Sequence, residues 1–73
     1  MTVRTEKALS LIAAGVQLDL DATDRTSDNL IVLARAIAAH GTTPRILNAG
    51  TKTSDSIMKI HTALGGNVFF SGV

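Results

Sequence analysis

Thr26-Ser27-Asp28-Asn29-Leu30 recurs as Thr53-Ser54-Asp55-Ser56-Ile57, 27 residues further along the chain, and the pattern that follows each run stays in step for about ten residues. Leu30, Leu33, Ala34 and Ile37 fall on Ile57, Ile60, His61 and Leu64. Both sets have the i, i+3, i+4, i+7 spacing of one buried helix face. A weaker copy begins at Thr5, 21 residues before Thr26, and puts Leu9, Ile12 and Ala13 in the equivalent places. The Thr-Ser-Asp runs read as helix starts: a hydroxyl caps the free backbone N–H groups, and an aspartate in the first turn meets the positive end of the helix dipole. Gly15, Gly41 and Gly65-Gly66 mark the helix ends.

Each helical run is followed by a short apolar or alternating segment: Val16 to Asp21, Arg45 to Ala49, and Val68 to Ser71. These read as strands. Parallel strands joined through helices cross over with right-handed connections. The expected architecture is therefore an α/β domain of three helix-strand units, covering residues 5–21, 26–49 and 53–72 of a single 1–73 domain. Its three-stranded parallel sheet has the order 1-2-3 with the helices on one face, as in a short solenoid where each unit touches only its neighbours.

Size and composition narrow the function classes. Hydrophobic residues make up 45% of the 73 and charged residues 18%, which suits a packed fold better than a disordered tail. A chain this short has a marginal core unless something staples it. Without cysteine, neither a disulfide nor a thiolate metal site can do so, which leaves oligomerisation. No stretch approaches the ~20 apolar residues needed to cross a bilayer, and the acid-containing start does not read as a secretory signal. The expectation is a cytoplasmic protein without membrane association. A net charge of +1 and 3% aromatic residues argue against a dedicated nucleic-acid binder. Charge is uneven, with −2 over residues 1–28 and +3 over residues 29–73.

From Leu18 to Ala39 the chain, LDLDATDRTSDNLIVLARAIAA, resembles a leucine-rich repeat of the ribonuclease-inhibitor type. An LxL strand leads through a loop into an LAxAI helix. Ile57 to Phe70 is similar to the helix and Gly-Gly-Asn-Val-x-Phe strand that close small bacterial α/β-repeat proteins. Neither resemblance brings catalytic residues. What leucine-rich repeats imply is protein binding.

Several groups of residues invite a chemical reading. Asp19-Leu20-Asp21-Ala22-Thr23 resembles the DxDxT motif of haloacid-dehalogenase-like phosphatases, which implies a nucleophilic Asp19, a general acid/base at Asp21 and a magnesium ion. Such a site also needs a lysine and a distal acidic pair, and the later half of the chain supplies only Asp55. Asp19, Asp21 and Asp24 together suggest a cation loop, yet Asp24 and Leu30 stand where an EF-hand needs glycine and glutamate. Gly50-Thr51-Lys52-Thr53 sits where phosphate loops occur but lacks the upstream glycine spacing. His40 and His61 have no partner at ligand or triad spacing. His61 replaces the Ala13 and Ala34 of the other units, at the inward edge of its helix.

The leading expectation is a non-catalytic interaction module, without cofactor or metal, that associates with itself or with a protein partner. Its rival is a small phosphate- or metal-binding, enzyme-like protein using Asp19, Asp21, Asp24 and Lys52 at the carboxyl ends of the strands. Nucleic-acid binding through Arg35, Arg45, Lys52 and Lys59 ranks last. The association surface is expected on the bare sheet face. Aligning the units on the Thr-Ser-Asp runs puts Leu47 inward like Leu20, which leaves Ile46 outward. Phe69 joins it as a cross-strand neighbour, with Val68 and Phe70 inward. Ile46 and Phe69 are therefore the expected interface residues.

Overall fold

The computed structural model describes residues 4–73. Its helices are α1 (Thr5–Ala13), α2 (Ser27–Ala39) and α3 (Ser54–Ala63), and its strands are β1 (Leu20–Asp21), β2 (Arg45–Leu47) and β3 (Phe69–Phe70). They alternate along the chain. The strands form a parallel sheet in the order β1-β2-β3. α2 lies between α1 and α3 in the helix layer that covers one face of the sheet. A short 3₁₀ turn follows each of the first two strands, at Ala22–Asp24 and Ala49–Thr51.

The repeated Thr-Ser-Asp runs do cap helices. The hydroxyl of Thr26 accepts the N–H of Asn29 at 3.2 Å, and that of Thr53 accepts the N–H of Ser56 at 3.2 Å. The first unit is set one residue differently from the sequence expectation. Arg4, Thr26 and Thr53 are the N-caps, and their carbonyls accept the N–H groups of Ala8, Leu30 and Ile57. The counterpart of Thr26 is thus Arg4 rather than Thr5. Ala8 and Ile12 are the buried residues of α1, Leu9 is half-buried against the core, and Ala13 is exposed.

β1 is also shorter than its apolar pattern suggested. The N–H of Val16 turns back to the carbonyl of Leu11 at 3.0 Å around Gly15, whose φ of 90° only glycine adopts readily. Val16 is left 43% exposed, and the inward alternation begins with Leu18 and Leu20.

The register of β2 overturns one expectation. Leu20 pairs with Ile46, and Ile46 in turn with Phe70. Ile46 is therefore inward and only 1% exposed, while Arg45 and Leu47 take the outward positions. The cause is one additional residue. Ala22 and Ala49, each opening a 3₁₀ turn and each buried, keep the 27-residue offset of Thr26 and Thr53. Asn48 is inserted just before Ala49 in the left-handed conformation, with φ 57°. A one-residue slip moves every strand side chain before it to the opposite face.

The core consists of Ala8, Ile12, Leu20, Ala22, Leu30, Ile31, Leu33, Ala34, Ile37, Ile46, Ala49 and Ile60 in one cluster. α2 supplies five of them, Leu30, Ile31, Leu33, Ala34 and Ile37, because it alone has a helix on each side. No polar or charged residue is buried among those described.

Candidate interaction surface

On the face away from the helices, the parallel register lines up Asp19, Arg45 and Phe69 across the three strands. The Arg45 guanidinium lies over the Phe69 ring, 5.4 Å from its centroid. Its Nε is 4.0 Å from an Asp19 carboxylate oxygen. That ion pair is long and half-exposed, so it contributes little to stability. The cation–ring contact leaves the other face of the ring to solvent, and Phe69 is 53% exposed. Thr43, Arg45 and Phe69 border an open recess of about 330 Å³. The Thr43 hydroxyl donates to the Asn67 side-chain oxygen at 3.2 Å. Val68 and Phe70 pack against the core on the other side of the sheet.

β3 is an edge strand. The N–H groups of Phe69 and Ser71 donate to the carbonyls of Pro44 and Ile46, each at 2.8 Å. The alternation of a strand then turns the N–H and C=O of Phe70 toward the open edge. No charged side chain stands between Gly65 and Val73 to blunt that edge.

The polar residues singled out at the carboxyl ends of the strands serve the loops. One Asp21 carboxylate oxygen accepts the Thr23 N–H at 2.9 Å and the Asn48 side-chain amide at 3.2 Å. These bonds, the backbone one foremost, hold the Asp21 carboxyl below the usual carboxylate range. The Lys52 ammonium donates to the Arg25 carbonyl at 2.6 Å, tying the second 3₁₀ turn to the loop before α2. Asp19 faces Arg45 on the outer sheet surface, and Asp24 ends the first 3₁₀ turn. Among the described residues, no three His, Cys, Asp or Glu side chains come together as a set that could hold a metal ion.

Lys59 and Arg35 are also engaged within the chain. Lys59 bonds the Asp28 carboxylate at 2.8 Å, which lowers the Asp28 pKa, and Arg35 donates to the Ala63 carbonyl at 3.4 Å. His40 caps the carboxyl end of α2. His61 is exposed rather than seated at an inward edge, its ring close beside Gly66. Among the described residues, no element packs beyond α3 to cover it.

Two contributors to this surface escaped the sequence reading. Arg45 entered it only as a nucleic-acid candidate, because the misplaced phase of β2 pointed it inward. The signal for Asn48 is weak: asparagine is among the few residues that tolerate a left-handed backbone, and it adopts one here. No family model, curated protein or solved structure matches the chain. No helix among the described residues is long and apolar enough to cross a membrane.

Proposed function

We propose that the chain is a non-catalytic, cytoplasmic protein-association module that works through β3 and the surfaces around it. The carrying observation is Phe69, a large apolar ring 53% exposed on an uncharged edge strand. An exposed apolar patch beside unpaired strand groups favours association with another protein surface. The cysteine-free composition fits a reducing compartment. The polar groups that a phosphate- or metal-binding reading needs are instead spent on holding loops: Asp21 on Thr23 and Asn48, and Lys52 on Arg25.

Sedimentation of the wild type and of Phe69→Asp tests the reading. The expected result is an assembly whose mass falls when a charge replaces the ring. Thermal melts with millimolar Mg²⁺ and with inorganic phosphate test the rival. A reproducible rise in Tm with either one would mark a ligand site and support the rival, while an unchanged mass in Phe69→Asp would displace the association reading.

A further inference from the structure

We infer that residues 53–73, the third unit, form a hinged cap that opens as one cooperative piece while the first two units stay folded, with the hinge between Lys52 and Thr53. Nothing in this motion depends on a partner. Residues up to Ala49 supply every member of the buried cluster except Ile60. Ile57, Leu64, Val68 and Phe70 are only half-buried against that cluster. The 27-residue offset carries Ile31, 8% exposed, onto Met58, 65% exposed, because no described helix packs beyond α3. Apolar burial is the dominant favourable term in folding, and little of it holds this unit in place.

Polar contacts place the hinge. Up to Lys52 the chain is tied into the body of the molecule. The Asn29 amide donates to the Thr5 hydroxyl at 2.8 Å, the Asn48 amide to Asp21 at 3.2 Å, and the Lys52 ammonium to the Arg25 carbonyl at 2.6 Å. The Lys52 N–H also bonds the Ala49 carbonyl at 3.0 Å. The next residue, Thr53, already caps α3. The unit at the other end of the sheet is held differently: it brings Ala8, Ile12, Leu20 and Ala22 to the core, and its Thr5 is bonded to α2.

The bonds that fasten the cap all cross this one boundary, so a single motion releases them. Lys59 to Asp28, Arg35 to the Ala63 carbonyl, and Thr43 to Asn67 are exposed, and such surface bonds contribute little. The backbone supplies the rest. The N–H groups of Phe69 and Ser71 donate to Pro44 and Ile46, and those of Ala49 and Gly50 donate to the carbonyls of Ser71 and Gly72. Opening turns β2 into the edge strand, frees the carbonyls of Pro44 and Ile46, and uncovers Ile31 on the side of α2 between Asp28 and Arg35. Closed, the molecule presents β3 and Phe69 instead. The cap therefore selects which strand edge faces outward, a role drawn from the low-stability part of a fold.

Hydrogen exchange followed amide by amide in low urea reads the motion. The amides of Ile60 and Leu64 in α3, of Phe69 and Ser71, and of Ala49 and Gly50, which donate to the tail, should share one opening. That opening should be at least about tenfold more frequent than the one that exposes Leu33, Ala34 and Ile37 in α2. Ile12→Val, a mild change in the body, should speed exchange in α2 by roughly 2- to 10-fold and leave the cap's amides unchanged. Three outcomes overturn the inference. The first is a common opening for α2 and the cap, and the second is equal acceleration of both by Ile12→Val. The third is early exchange at Phe69, Ser71, Ala49 and Gly50 while α3 keeps the protection of α2, which is fraying of the chain end alone.

Discussion

Gly50 carries a constraint that its exposure conceals. Its N–H donates to the Gly72 carbonyl at 2.8 Å, which pulls the chain after β3 against the second 3₁₀ turn. A Cβ at position 50 would lie 2.6 Å from that same oxygen. The atom in the way is backbone, so relief requires moving a strand end rather than rotating a side chain. Gly50→Ala is expected to cost about 1 to 3 kcal/mol, the range for forced overpacking. Urea denaturation measures it, and a loss below about 0.5 kcal/mol, the usual scatter for surface changes, would show that this contact is not held. Asn48 is the complementary case, a residue whose left-handed backbone lets one extra position be absorbed between β2 and the turn.

Among the elements, α2 concentrates the stabilising burial. Leu33 is fully buried between sheet and helices, whereas Leu9 of α1 is half-buried at the margin of the core. Leu33→Ala is therefore expected to cost about 2 to 5 kcal/mol, a large share of the stability of a domain this small. Leu9→Ala should cost clearly less. Equal losses in parallel chemical denaturations would contradict the placement of α2 at the centre. Helix α1 is also less secured at its start: its N-cap is Arg4, which makes no side-chain capping bond, whereas Thr26 and Thr53 cap the other two.

Across the whole molecule, carboxylates link neighbouring units. Asp21 of the first unit accepts from Asn48 of the second, and Asp28 of the second unit from Lys59 of the third. Both carboxyls are held below their usual values, Asp21 mainly by the Thr23 N–H and Asp28 mainly by Lys59. A depressed folded-state pKa means that the unfolded chain takes up protons first as pH falls. The stabilisation is therefore fully present above the unfolded value, about 3.9 for aspartate, and is lost as pH drops through the lower folded values. Melts should thus be flat near neutrality in this respect and decline below about pH 4. Asp28→Asn should flatten that acid decline, and an unchanged profile would show that the Lys59 bond carries no linkage.

The amino-acid sequence by itself determined the element order, the parallel 1-2-3 sheet and the centrality of α2. Those follow from local rules, namely capping hydroxyls, helical spacing of Leu30, Leu33 and Ile37, and glycines at helix ends. Phe69 does lie outward, but beside Arg45 and not beside Ile46 as the sequence reading has it. Only the tertiary structure decided which face Ile46 and Arg45 occupy, because strand phase has a period of two and one left-handed residue at Asn48 reverses it. Likewise, the helical pattern made Ile31 and Met58 equivalent, and nothing local separates them. One is buried and the other exposed because α3 packs beside α2 and no described helix packs on the far side of α3. Burial of that kind belongs to the neighbour, not to the residue.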